Sequence, residues 1–131
     1  MIIFFLFFTL FATAVILPRN FTSFTQAQTE TLPDATNSKI LAWPLSNVKA
    51  DGRSESTITV IVRNSKTKPI EGRNVVLTTS MGAFREGAVP TNKEGMAVFH
   101  LTSNSPGTAQ IEATVDSSVK VAQTVTVQFV Q

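Results

Sequence analysis

From Ser56 to Phe129 the apolar residues recur at every second position within each segment. In Ser56–Val62, Ile58, Val60 and Val62 alternate with Thr57, Thr59 and Ile61. In Met96–Ser103, Ala97, Phe99 and Leu101 alternate with Val98, His100 and Thr102. Successive side chains of a strand point to opposite faces, so this period marks strands with one buried and one solvated side. An amphipathic helix is excluded, because its apolar positions would recur at about 3.6 residues. The same period runs through Arg73–Thr79, with Val75 and Leu77 inward, and through Thr108–Val115, with Ala109, Ile111, Ala113 and Val115 together. Across Val119–Phe129 it sets Val119, Val121, Val125, Val127 and Phe129 against Lys120, Thr124, Thr126 and Gln128.

Turn chemistry separates these segments. Asn64–Gly72 (NSKTKPIEG), Asn92–Gly95 (NKEG), Asn104–Gly107 (NSPG) and Asp116–Ser118 each carry the Asn, Asp, Pro or Gly that a reversal needs. Ala50–Val60 (ADGRSESTITV) puts an Asp51-Gly52 corner directly before a strand. Ala83–Lys93 reads as an irregular loop, broken by Gly87 and Pro90. Ile40–Pro44 reads as a first, edge strand, with Trp43 expected to plug one end of the core and ligand stacking as its second reading. Pro44 and Lys49 read as edge protection. No helical stripe follows Lys39. The expectation is an all-β, immunoglobulin-like antiparallel β-sandwich of about seven strands over residues 40–131. Its core is expected at Ile58, Val60, Val75, Leu77, Phe99, Leu101, Ile111, Val125 and Val127.

The front of the 131-residue chain is of another kind. Ile2–Leu17 is apolar apart from Thr9 and Thr13, and it stops at Pro18-Arg19. It is shorter than the roughly 20 residues of a spanning helix and fits the apolar region of a secretory signal. Two readings stay open for residues 1–27: a signal peptide cleaved near Ala27, or an uncleaved signal-anchor helix, since Arg19 lies on the far side of the apolar run. Residues 28–39 (QTETLPDATNSK) read as a polar linker.

Composition narrows the function. After position 27 ten Lys and Arg face nine Asp and Glu, with no basic cluster to follow a phosphate backbone, so no nucleic-acid partner is expected. There is no cysteine for a disulfide or a lipid. His100 is the sole histidine, which argues against zinc, and no Asp-rich loop gathers oxygens for calcium. No metal or cofactor is expected. A serine nucleophile would need His100 as its base. That residue falls on the outward face of a strand, expected to be solvated, with Glu112 as its candidate cross-strand neighbour. Paired carboxylates for sugar hydrolysis need a cleft that a filled sandwich lacks, and no phosphate-binding glycine loop is present. An enzyme is not expected; a small hydrolase is the least supported class.

Several ordered blocks resemble the bacterial Ig-like domains of the invasin and intimin type (group 1). They are Ala50-Asp51-Gly52, Ile58-Thr59-Val60 with Val62, Pro69-Ile70 with Gly72, and Val75 with Leu77–Gly82. Thr91, Gly95, Ala97-Val98 and Leu101–Ser103 follow, then Pro106–Ala109 and Ala113–Val115. The resemblance runs from about Leu45 to Val130. It implies an extracytoplasmic module serving as a cell-surface spacer or adhesion segment, secreted or held at the membrane only through residues 2–17. Two departures stand out: there is one module without a barrel or tip domain, and Ser65–Pro69 lacks the glycine usual before the proline. The partner class implied is a protein or glycan at the cell surface. The alternative is a small secreted binding protein for a carbohydrate or protein ligand that uses the 83–93 loop, with Phe84, Arg85 and Glu86 as the recognition element. Phe84 has a second reading, as a plug tucked under the core.

Overall fold

The computed structural model describes residues 31–131. The expected signal or anchor helix of residues 1–27 lies outside the described residues. Ten strands follow in order: β1 (Lys39–Trp43), β2 (Val48–Lys49), β3 (Ser56–Ile61), β4 (Asn74–Thr79), β5 (Ala83–Phe84), β6 (Ala88–Pro90), β7 (Met96–Thr102), β8 (Gly107–Val115), β9 (Val119–Lys120) and β10 (Val125–Val130). They form two sheets. One runs β1-β3-β7-β5, and the other β2-β10-β8-β4-β6, with β9 on β8. All pairings are antiparallel except β2 with β10, which is parallel. The architecture is the expected Ig-like sandwich. The count exceeds seven because β2, β5, β6 and β9 are pieces of two or three residues, too short to print a period on the sequence.

The alternation explains the core. Ile58, Val60, Phe99, Leu101, Val75, Ile111 and Val127 are fully buried, and Leu77 is nearly so. Val125 differs from its expected place: it is half-buried and packs against the rim of the core. It opens β10 where the chain has just rejoined the sheet. Between Thr114↔Lys120 and Ile111↔Val125, β8 advances three residues while its partner uses five. The two extra residues form a bulge that splits the single strand expected over 119–129. An even insertion keeps the inward phase, so Val121, Val127 and Phe129 are still buried. The bulge frees Ala122 to donate its N–H to the Ala35 carbonyl (3.0 Å), and Gln123 Oε1 to accept from the Ile40 N–H (3.4 Å).

Those contacts bear on the segment read as linker. Asp34 N–H bonds the Arg63 carbonyl at 2.8 Å, Asn37 Nδ2 donates to the Asn64 carbonyl at 3.1 Å, and Ser38 is buried. Residues 34–38 are therefore part of the sandwich and cover its entry end. Few apolar residues do this, so hydropathy alone gives no sign of it.

The buried polar residues are placed by hydrogen bonding. Ser56 Oγ donates to the Pro44 carbonyl at 2.8 Å, and Thr91 Oγ1 to the Ile70 carbonyl at 2.7 Å while accepting from Arg73 N–H at 2.9 Å. Among the described residues no buried side-chain nitrogen or oxygen lacks a partner. That is the condition for burying such groups without a penalty of about 1–3 kcal/mol each.

The sandwich has two poles. Residues 34–38 and the turns around 63–70, 92–95 and 116–118 make the pole where β1 begins. The corner at 50–54, the turns around 80–83 and 103–107, and the end of β10 make the other, where Ala50 N–H bonds the Val130 carbonyl (2.7 Å) and Gly52 N–H bonds the Ser103 carbonyl (3.0 Å). Gly95 and Gly82 are required at opposite poles. Each has φ near +75°, and an added Cβ would lie 2.6 Å from the Val62 carbonyl oxygen or 2.5 Å from that of Thr102.

Candidate functional site

The corner Asp51–Glu55 and the segment Ala83–Glu86 meet at the second pole. Asp51 Oδ1 accepts from Arg53 N–H (2.8 Å) and Ser54 N–H (2.6 Å), and Oδ2 accepts from Ser54 Oγ (3.1 Å). The Ser54 N–H first, then the Arg53 N–H, hold the Asp51 carboxyl below its ordinary range. This carboxylate closes a turn: its Oδ1 is taken by the backbone that follows it and its Oδ2 by the Ser54 hydroxyl. Gly52 supplies the positive φ of that turn (+71°).

Glu55 points the other way and forms an ion pair with Arg85. Arg85 is well exposed, so the pair contributes about 0–1 kcal/mol. Its role is to tie the 83–86 segment to the start of β3. Between them lies an open depression of about 510 Å³ lined by Gly52, Arg53, Glu55, Ala83, Phe84, Arg85 and Thr102. A second, of about 350 Å³, shares Ala83 and Thr102 and continues to Met81 and Ser103–Ser105.

The three residues of the expected recognition element thus have distinct fates. Phe84 is half-buried with its ring edge-on to Phe99, centroids 6.0 Å apart. It is the tucked plug of its second reading. The segment read as irregular loop carries β5 and β6, and β5 pairs with β7 through Ala83↔Thr102 and Phe84↔Leu101. Arg85 faces Glu55. Glu86 turns back over β7, where its Oε2 accepts the His100 backbone N–H at 2.7 Å and its Oε1 lies 2.6 Å from His100 Nδ1. Burial raises the Glu86 carboxyl, but the side-chain and backbone hydrogen bonds from His100 outweigh it and leave the group below its ordinary value.

His100 is therefore not the simply solvated residue expected from its outward phase, and Glu112 is not its neighbour. Glu112 pairs with Lys120 at 2.9 Å on the other sheet. The serine hydroxyls of this pole go elsewhere: Ser54 to Asp51, Ser56 to the Pro44 carbonyl and Ser103 to the Ser105 carbonyl. Among the described residues no group of three His, Cys, Asp or Glu could hold a metal ion, and no helix is long and apolar enough to cross a membrane.

Trp43 corrects the expectation most sharply. Its side chain does not plug the core; it stands 78% exposed on the outer face of β1. Ile40 and Ala42 take the inward phase of that strand, which leaves Leu41 and Trp43 outward. Register then aligns Trp43 with Thr57 and Thr57 with His100. The sequence marked Trp43 and His100 separately, and no local pattern links them.

Comparison with known proteins agrees with this architecture. The family model for the bacterial Ig-like domain (group 1) matches residues 41–130. The D0-D1 domain of intimin superposes with a TM-score of 0.66 at 30% identity, over 78% of this chain and 50% of that one. Invasin, described as a bacterial integrin-binding protein, gives 0.68 at 30% identity, over 76% and 20%. A C-terminal 282-residue fragment of intimin, solved with the intimin-binding domain of the translocated intimin receptor, gives 0.60 at 31% identity, over 70% and 32%. The chain spans half or less of the length of these solved relatives. With the match covering most of its residues, the chain belongs to the family of bacterial Ig-like domains, group 1.

Proposed function

We propose that this protein is an exported, non-enzymatic module that acts as a structural spacer in adhesion at the bacterial cell surface. The observation that carries the reading is the polarity of the sandwich. β1 starts at one pole and β10 ends at the other, so the chain enters and leaves along the strand axis. A module built this way adds its full length to whatever it joins. Nine residues of β8 at about 3.4 Å each give roughly 30 Å along that axis. Support also comes from the filled core, from titratable groups spent on turns and ion pairs, and from the membership of adhesin segments in the same family. The receptor contacts of intimin and invasin belong to longer proteins.

Export and display are tested with a C-terminal epitope on the full chain. Protease added to intact cells should remove the epitope. An epitope that stays protected until the envelope is broken overturns the reading.

A further inference from the structure

The outer face of the four-stranded sheet carries side chains that the spacer role does not use. We propose that Trp43, Thr57 and His100 form a binding site for a pyranose-containing oligosaccharide.

The three residues stand in one row across β1, β3 and β7. At about 4.8 Å per strand, the row spans roughly 10 Å from Trp43 to His100, room for a short saccharide rather than a single ring. Trp43 supplies a broad apolar ring that is largely exposed to water. The face of an aromatic ring is electron-rich and attracts the C–H groups that line one face of a pyranose. Thr57, half-buried beside it, brings a hydroxyl that both donates and accepts. His100 is oriented in advance. Glu86 holds Nδ1 at 2.6 Å and the backbone N–H at 2.7 Å, which leaves Nε2 as the ring's remaining hydrogen-bonding atom. The row thus sets an aromatic platform beside two polar groups on an open sheet face, where a flat ligand can lie across it. The adjacent row, Leu41–Thr59–Val98, continues the apolar floor, with Leu41 53% and Val98 41% exposed.

The size of the face selects the occupant. Three strands and five or six residues of length give a plane on the order of 300 Å². A stable protein partner, including a second copy of this chain, covers about 800 Å² on each side. An oligosaccharide lying across one row needs far less, and its hydroxyl rim suits the mixed apolar and polar row.

The test is a glycan microarray probed with the labelled full chain in a detergent without sugar headgroups. Trp43 is the chain's sole tryptophan, so its fluorescence reports the site directly when the strongest glycan is titrated. Saturable binding to pyranose glycans is expected. Trp43→Ala should weaken it about tenfold or more, His100→Ala about fivefold, and Glu86→Gln by less than His100→Ala. Trp43→Ala should also keep the wild-type melting temperature, because the side chain is exposed. Array signals no higher than those of Trp43→Ala, or binding that Trp43→Ala and His100→Ala both leave unchanged, overturn the proposal. So does self-association in sedimentation that Trp43→Ala abolishes, which would give this face to a second copy. Each of these results leaves the spacer reading intact, because surface display is read independently.

Discussion

The two outer faces of the sandwich differ although they enclose the same core. On the six-stranded sheet the outward residues are mostly polar: Gln110, Glu112 and Thr114 of β8, Thr126 and Gln128 of β10, and Thr78 of β4, with Val76, Ala88 and Val130 the apolar ones among them. Glu112 and Lys120 pair across it. On the four-stranded sheet the outward residues include Leu41, Trp43, Ile61, Met96 and Val98. Both sheets bury their inner sides completely at their centres, so folding does not explain the difference. Single exposed apolar residues are ordinary on protein surfaces. Several in adjacent rows, around a largely exposed tryptophan, mark a surface available for contact. The larger apolar side chains are concentrated on the outer face of the four-stranded sheet.

The largest expected effect calibrates this contrast from inside. Phe99→Ala removes a fully buried ring that touches Phe84, and should cost about 3–5 kcal/mol in urea denaturation. A loss under 1 kcal/mol would mean that the inner layer is not the main source of stability. Next comes the clasp between the 83–86 segment and β7. Glu86→Gln should cost about 1 kcal/mol at neutral pH through lost charge-assisted hydrogen bonds. Because the folded value of Glu86 is lowered, its contribution is complete above the ordinary glutamate value of 4.5 and is lost as pH falls through the lowered value. Stability curves of wild type and Glu86→Gln should converge on acidification. A gap that persists unchanged well below pH 4 would rule out this ionised clasp.

The smallest effects compare the outer faces themselves. Trp43→Ala and Gln110→Ala should each change stability by no more than about 0.5 kcal/mol. Only Trp43→Ala should lower the binding of an apolar dye. A cost of several kcal/mol for Trp43→Ala would show the ring packed in solution and erase the contrast. Equal dye binding by both variants would show that the exposed rows do not act as a patch.

Much of the fold was legible in the sequence because each long strand has one wet side. β3, β4, β7 and β8 print the alternation directly, and the buried faces follow from it. Besides the packing of residues 34–38, three things were not legible. In Ile40–Trp43 all four residues are apolar, so hydropathy gives no phase, and the largest side chain is drawn to the core by assumption. Pairing with β3 decides instead in favour of Ile40 and Ala42. The 119–129 run hid its bulge because two inserted residues preserve parity. The partner of His100 was hidden because Glu86 reaches it through the short β5 pairing, fourteen residues away in the chain, whereas Glu112 looked closer on a regular lattice. Side-chain contacts that depend on two-residue strands leave no periodic trace.

The opposite placement of strand starts and ends has a mechanical consequence. Tension applied at the two poles pulls β1 along its own length against β3, where five residue pairs hold it. The same force slides β10 between β8 on one side and β2 on the other. The backbone bonds of each pair then bear load together and do not open one after another. Such a module resists stretching by shear, a property that the proposed spacer role would use.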